Sequence, residues 1–267
     1  MIKWIVCDMD NTLLTTEKEL TAHTRAVFAA FQAQGVAITL ATGRAYELAK
    51  PYAKALKVTL PLIVNNGALI KTVQGDIVSA HRLLPDTFMP FMNYATSHGY
   101  PVTFYAEDGF YSEDPERLSF YEDWNRRHPN AMVYVQPLSA LNHSTHVYKM
   151  LMVIDDASAM SRALHTFRNQ PNCHITRSQQ NFFDILPNKT NKGDALGFLL
   201  NKYNVLPEEV IVFGDEDNDV EMLAKSPHSY AMPNASKRAK AAARHIALAS
   251  HDAEGVAKTL SPWLKRL

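Results

Sequence analysis

The sequence predicts an α/β fold: a core built on a parallel sheet, with an α+β module inserted in its middle. Three observations predict it. Strand-like apolar runs alternate with helix-patterned segments through the first third of the chain, the pattern of right-handed crossovers between parallel strands. The same texture returns from Asn191 onward. Between them, roughly from Pro85 to Pro187, the chain is richer in aromatics, histidine and proline and loses that alternation. The expected division is a core of residues 1–84 and 187–267 and an insertion of residues 85–186.

The elements follow in order. Ile2 to Cys7 is an apolar run that ends at Asp8. Thr21 to Gln34 carries apolar residues at helical spacing (Ala22, Ala26, Val27, Ala30, Phe31), and Gly35 follows as a C-cap. Val36 to Ala41 is a second strand, ending at Thr42-Gly43-Arg44, and Ala45 to Leu56 is helical. Leu62-Ile63-Val64 is a third strand, ending at Asn65-Asn66-Gly67. In the insertion, Val102 to Tyr105, Met132 to Val135 and Lys149 to Ile154 read as strands of an antiparallel sheet, with a helix over Ala157 to Arg168. Lys192 to Tyr203 is helical, and Val210 to Phe213 is a fourth core strand that ends at Gly214-Asp215. Short strands at Ser229 to Met232 and His245 to Leu248, then a helix over Asp252 to Leu260, close the pattern.

Composition narrows the function classes. The 267 residues are 46% hydrophobic, ordinary for a globular protein. The 27 acids balance 27 Lys plus Arg, so there is no basic excess of the kind nucleic-acid binding needs. No apolar stretch reaches the roughly 20 residues that span a bilayer. The N-terminus has no basic segment followed by a long apolar core, so no secretory signal is expected. Cys7 and Cys173 are the only cysteines, and Cys7 sits in a strand as a packing residue, which fits a disulfide-free cytoplasmic protein. A monomer or weak homo-oligomer is expected.

The polar residues that stand out share one address. Asp8, Thr42, Asn66 and Asp215 each lie at or just past the carboxyl end of a core strand, the edge where open α/β sheets bind ligands. Asp8 and Asp10 are the most informative pair. Two carboxylates this close repel each other and call for a cation or a shared proton. Mg²⁺, bound through one or two carboxylates plus a substrate phosphate, meets that need. Attack on phosphorus also needs a nucleophile, donors for the phosphoryl oxygens and a proton source for the leaving alcohol. Asp8, aimed by its strand, can be the nucleophile and carry an aspartyl-phosphate. Asp10 can be general acid, then general base toward water. Thr12 and Thr42 offer hydroxyls, Gly43 a bare backbone N–H, and Lys192 a positive charge for the phosphate and Asp8. Arg44, Asn66 and Asn218 join them as candidate phosphate or substrate ligands. Asp215 completes a metal cage with Asp8 and a backbone carbonyl near Asp10, and Asp219 lies where it can orient Lys192 or water on the metal.

These residues carry a family resemblance. Asp8-Met9-Asp10-Asn11-Thr12, Ala41-Thr42-Gly43-Arg44, Asn191-Lys192-Gly193 and Gly214-Asp215-Glu216-Asp217-Asn218-Asp219 resemble, in order and spacing, the four motifs of haloacid dehalogenase-like hydrolases. The resemblance spans essentially the whole chain. It is closest to the Cof-type branch, which inserts a large α/β (type C2B) cap between the second and third motifs; Asn65-Asn66-Gly67-Ala68 and Glu254-Gly255-Val256-Ala257 are similar to that branch as well. It implies a Rossmann-like parallel sheet core, a mobile cap domain, Mg²⁺, and hydrolysis of phosphate monoesters, usually of sugar phosphates or other small metabolites. It implies Asp8 as nucleophile, Asp10 as acid/base, Thr42 and Lys192 as phosphate ligands and Asp215 as metal ligand. Asn11 stands where Gly is commonest, a change Asn tolerates because it accepts unusual backbone angles. Asp217 adds a charge inside the fourth motif.

Each motif alone has a bland reading: a turn, a helix cap, a solvated lysine. Their joint order reverses it. Other candidates stay bland. His143 and His146 read as a polar loop and the aromatics of the insertion as core. Arg126-Arg127-His128 reads as a solvated helix end. Two rival functions keep the same acids. A phosphomutase returns the phosphoryl group to its substrate, and a phosphoacceptor signalling protein holds it with negligible turnover.

Overall fold

The computed structural model describes residues 1–265. In chain order the elements are β1 (Trp4–Cys7), α1 (Ala22–Ala33), β2 (Ala37–Leu40), α2 (Tyr46–Ala55), β3 (Leu62–Val64), β4 (Leu69–Lys71), β5 (Ile77–Ala80), α3 (Pro85–His98), β6 (Val102–Ala106), β7 (Gly109–Ser112), α4 (Pro115–Arg127), β8 (Val135–Gln136), β9 (Val147–Val153), α5 (Ala157–Phe167), β10 (Cys173–Thr176), β11 (Phe182–Pro187), α6 (Lys192–Tyr203), β12 (Val210–Gly214), α7 (Val220–Leu223), β13 (His228–Ala231), α8 (Lys237–Ala242), β14 (His245–Ile246) and α9 (Gly255–Leu260).

The chain divides into two compact units. One comprises Met1–Val78 and Asn191–Leu267, the other Ser79–Thr190. The boundaries fall a few residues outside those expected from sequence texture. The strand β5 straddles the first of them, and neither the β4 nor the β5 run stood out in the sequence.

The first unit is built on a parallel sheet of order β14-β13-β12-β1-β2. Ala41 adds a parallel bridge to Ile63, so β3 continues the sheet beyond β2. All of β1 and all of β12 are buried, as strands covered on both faces must be, which is why they read as unbroken apolar runs. Chain order runs outward from β1 in one direction through β2 and β3, and from β12 in the other through β13 and β14. The order therefore reverses between β1 and β12, the position where doubly wound sheets open a crevice for ligands. The register Cys7↔Phe213 brings the carboxyl ends of those two strands level, so Asp8 and Asp215 emerge side by side.

Local signals explain the helix ends. Thr21 and Asn191 cap α1 and α6 by accepting from the N–H groups of Thr24 and Asp194. Asn204 ends α6 in the left-handed conformation, and Gly35 follows α1 with φ +83°. Asp252 to Leu260 is not one helix: a short turn at His251–Ala253 and α9 are separated by Glu254 at φ 58°.

The second unit is an α+β module around a six-stranded sheet of order β10-β11-β9-β6-β7-β8, antiparallel except for the short β7–β8 pair. Its core packs α3 and α5 onto one sheet face through Phe88, Phe91, Phe104, Met150, Met152, Phe167 and Phe183. One expected strand is corrected here. Met132 to Val135 contributes only Val135 to β8, because the preceding stretch is bound to α4 instead. Trp124 Nε1 donates to the Ala131 carbonyl at 2.8 Å, and Asn125 both donates to and accepts from the Val133 backbone, at 2.9 and 2.7 Å. With the Val133 groups taken by a side chain, the ladder to β7 begins only at the Tyr134 carbonyl, which accepts from Phe110 N–H at 2.8 Å. His146 binds Glu107 at 2.7 Å and both cysteines are free thiols. Among the described residues, no helix is long and apolar enough to cross a membrane.

Phe91 is fully buried between Phe167 and Phe183, with ring centroids 4.2 and 6.2 Å away. Phe91→Ala is expected to destabilise the protein by about 3–5 kcal/mol, read as a lowered midpoint in chemical denaturation.

Candidate active site

The site forms where four strand ends and one helix start meet. Asp8 leaves β1 with its N–H still on the Phe213 carbonyl at 3.0 Å, so the strand pairing holds its backbone rigid. The chain then turns sharply. Asn11 adopts φ 56°, ψ 9°, a left-handed conformation that Asn tolerates better than most residues, and this swings Thr12 back beneath the site. Thr12 Oγ1 donates to Asp215 Oδ1 at 2.7 Å, tying the first loop to the end of β12.

Lys192, the first residue of α6, is buried and donates to two carboxylates: Asp8 Oδ1 at 2.6 Å and Asp219 Oδ1 at 2.7 Å. Asp219 is itself fully engaged. Its Oδ2 accepts from the N–H groups of Asp215 and Glu216 at 2.9 and 3.0 Å. That fold-back needs Gly214, where a Cβ would lie 2.6 Å from Asp219 Cβ. The extra charge at Asp217 is matched by Ser236 at 2.8 Å and Arg238 at 3.2 Å.

Asn65, Asn66 and Gly67 form a turn of three successive positive-φ residues. It joins the loops after β2, β12 and before α6. Asn65 N–H donates to the Arg44 carbonyl at 2.9 Å and Asn66 N–H to the Thr42 carbonyl at 3.0 Å. Asn66 Oδ1 accepts from Asn218 Nδ2 at 2.8 Å. Gly67, at φ +93°, sits against the Asn191 carbonyl, where a Cβ would come within 2.5 Å. Thr42 is buried, its Oγ1 accepts from Arg44 N–H at 3.1 Å, and its hydroxyl proton is free to turn toward a ligand.

Electrostatics sets the acids apart. Burial pushes Asp8 up to about 7, with Lys192 pulling it back and Asp219 adding to the rise. Burial and the neighbouring Asp8 and Asp219 carboxylates hold Asp215 well above the usual carboxylate range. Asp10 goes the other way: burial alone would raise it, but Arg44 and Lys18 outweigh burial and hold it well below the usual range. Burial would lower Lys192, but Asp219 and Asp8 outweigh it and keep the ammonium charged. Cys7, beside this cluster, is raised well above an ordinary thiol by burial and then by Asp8, so it is an inert packing residue.

Carboxylate oxygens of Asp8, Asp215 and Asp219 lie within 4.8 Å of one another and could hold a metal ion. The donor set suits a hard cation, because all three are carboxylates. A second observation fits as well. Asn218 Oδ1 and Asn65 Oδ1 are buried with no hydrogen-bond partner, and an orphaned acceptor calls for a cation or a donor. The Asp10 side chain, expected to serve as acid and base while a backbone carbonyl near it meets the metal, is gripped by Arg44 and Lys18. Arg44, expected to bind phosphate, has its guanidinium on Asp10 at 2.7 Å through both Nε and Nη2. Nothing in the sequence pointed to Lys18 or Tyr52, whose partners are distant in the chain or backbone atoms.

The profile of the haloacid dehalogenase-like hydrolases matches residues 5–260. The chain belongs to that family. A candidate phosphatase of Mycoplasma pneumoniae is 26% identical to this haloacid dehalogenase-like hydrolase over 98% of this chain and 97% of its own length. The chloroplastic endoribonuclease YBEY of Arabidopsis thaliana is 24% identical over 96% of this chain, but the match covers 46% of that protein, so the chain spans about half of it. A HAD/COF-like hydrolase of Plasmodium vivax has the same fold, with a TM-score of 0.84, 20% identity, and coverage of 100% of this chain and 96% of that one.

Two outcomes test this geometry. Lys192→Met leaves Asp8 and Asp219 buried without their cation, and is expected to cost about 3–5 kcal/mol in chemical denaturation. Gly67→Ala forces a side chain into the Asn191 carbonyl at a left-handed residue. It is expected to destabilise the fold by more than the roughly 1 kcal/mol of an ordinary Gly-to-Ala change at positive φ, by the same measurement.

Proposed function

We propose that this haloacid dehalogenase-like hydrolase is a Mg²⁺-dependent phosphatase of small phosphorylated metabolites, sugar phosphates or similar monoesters, acting through an aspartyl-phosphate. The observation that carries the reading is the buried Lys192 ammonium held between Asp8 and Asp219. It places a fixed positive charge against the carboxylate best aimed to attack, and the same charge favours a phosphoryl group.

The residues divide the work as follows. Asp8 attacks phosphorus, forming a P–O bond as the bond to the substrate alcohol breaks. Asp10 gives the departing oxygen its proton, then takes one from the water that attacks the phosphoenzyme, and inorganic phosphate leaves with Asp8 restored. Lys192 and the Thr42 hydroxyl hold phosphoryl oxygens, with the Gly43 backbone beside them. Asp8, Asp215 and the Asp10 carbonyl would hold Mg²⁺, as is general in the family, and the ion would supply charge neutralisation at the phosphate. Asn218 spends an amide hydrogen on Asn66 and turns an acceptor oxygen free, which suits the ion's water better than a phosphate oxygen. The inserted unit would act as the cap that admits substrate and excludes water.

An ionised nucleophile also argues for the ion. At about 7, Asp8 is partly protonated near neutral pH without added positive charge, and a protonated carboxyl is a poor nucleophile.

Phosphate release from a panel of sugar phosphates, with and without Mg²⁺, is the decisive assay. Turnover should require Mg²⁺ and yield free phosphate. An accumulating sugar-phosphate isomer would instead mark a mutase, and a long-lived phosphoenzyme without release a phosphoacceptor. Asp8→Asn is expected to lose at least about 10³-fold in kcat while keeping the wild-type circular dichroism spectrum. Mg²⁺ at about 100 times its Kd should add about 2.7 kcal/mol to stability. Asp215→Asn should lose that gain, seen as a melting temperature that no longer rises with Mg²⁺.

A further inference from the structure

The Asp10 carboxylate is held more firmly than a turn residue needs. Arg44 meets it side-on, with Nε on Oδ2 and Nη2 on Oδ1, both at 2.7 Å. Lys18 Nζ reaches Oδ1 at 3.0 Å. A paired guanidinium–carboxylate contact fixes the plane of the carboxylate as well as its position, which a single ammonium cannot do. The donors are themselves held. The Tyr52 ring lies under the Arg44 guanidinium, 5.2 Å from centroid to Cζ, and its hydroxyl donates to the Lys18 carbonyl at 3.0 Å. Lys18 is further fixed by its N–H on the Thr15 carbonyl at 2.9 Å, in a left-handed turn at φ 63°. Arg44 donates from its backbone N–H to Thr42 Oγ1 and accepts at its carbonyl from Asn65 N–H.

We infer that Arg44, Lys18 and Tyr52 form a clamp that aims the Asp10 carboxylate, so that Arg44 and Lys18 are positioning residues for proton transfer rather than ligands of the phosphate. Oδ1 accepts from two donors and Oδ2 from one, so the clamp leaves Oδ2 the more open oxygen for the leaving group and for water. The inference rests on the phosphatase reading above, in which Asp10 is the acid and base.

The two roles separate by leaving group. A residue that binds the phosphate affects every ester alike. A residue that aims the acid matters where the leaving oxygen needs a proton and little where it does not. The quantity to compare is kcat/KM, which reports events up to leaving-group departure. The substrates are p-nitrophenyl phosphate, a good leaving group, and phenyl phosphate, a poor one, at saturating Mg²⁺. With Lys18→Met, a change at a partly exposed residue that spares the buried core, kcat/KM for phenyl phosphate should fall about tenfold or more while that for p-nitrophenyl phosphate stays within about threefold. Arg44→Met should show the same split, larger, and Arg44→Lys should recover part of it because one charged donor returns without the fork. Equal losses on both esters, or no loss in either variant, would overturn the clamp. A wild-type protein that releases phosphate from neither ester with Mg²⁺ would overturn the phosphatase reading itself, and this inference with it.

Discussion

The Lys192 ammonium is 1% exposed and lies between Asp8 and Asp219 at 2.6 and 2.7 Å. Burying an ion costs several kcal/mol even after the protein relaxes, and attraction offsets that cost only where the remaining lone pairs are also satisfied. Asp219 meets the condition through two backbone N–H groups, whereas Asp8 and Asp215 do not. The site is therefore balanced on one side and open on the other. Two other nearby acids have their own partners, Asp10 in Arg44 and Lys18 and Asp217 in Arg238. The carboxyl groups of Asp8, Asp215 and Asp219 thus face the one ammonium of Lys192, so acids outnumber cations in the cluster. A divalent cation would offset that excess, which is the physical content of the Mg²⁺ proposal.

Holding this arrangement requires backbone conformations that most residues resist. Asn11, Asn65, Asn66 and Gly67 all take positive φ within the site. Left-handed backbone is cheap for Gly and tolerable for Asn, and costs other side chains more. Strain of this kind persists where the surroundings over-determine it. Here they do, because the Asn65–Gly67 turn is bonded to the backbone at Thr42 and Arg44, to the side chain of Asn218, and packs on the backbone at Asn191. One small turn thus sets the relative positions of loops far apart in sequence, and a shift at any of them is felt at the others.

That division explains what the sequence could and could not show. The strands that end at Asp8, Thr42, Asn65 and Asp215 were legible because a run of buried apolar residues followed by a polar one is a local signal. Strand order was not, since nothing local says that β12 lies beside β1. Within the site, residues whose roles are local to a strand end could be singled out: Asp8 at the end of β1, Lys192 opening α6. Arg44 was read as a phosphate ligand because Thr-Gly-Arg follows a strand, yet its guanidinium goes to Asp10, a partner 34 positions away. Lys18 and Tyr52 carried no signal at all. Met132 to Val135 misled for the converse reason: its composition suits a strand, but the Asn125 side chain takes the Val133 backbone groups and Trp124 ties down Ala131 just before it.

The two acids at the end of β1 show how one short loop yields two chemistries. Asp8 and Asp10 are two residues apart, of the same type, and both shielded from water. Burial drives both toward the protonated form. Asp8 stays high, because its one cation is shared with Asp219 and the other carboxylates push against it. Asp10 is driven low, because Arg44 and Lys18 both act on it and together outweigh burial. Environments that push paired carboxylates in opposite directions are how proteins assign different roles to identical groups. The sign of each shift is itself informative. On the proposed reading, a nucleophile that is partly protonated near neutral pH gains from a cation that favours its ionised form. On that reading, Asp10, already held as the carboxylate, suits the second half of the reaction, when water must be deprotonated. On the proposed reading, the aim that Arg44 and Lys18 give the Asp10 carboxylate, rather than the number of acids, limits how poor a leaving group the site can expel.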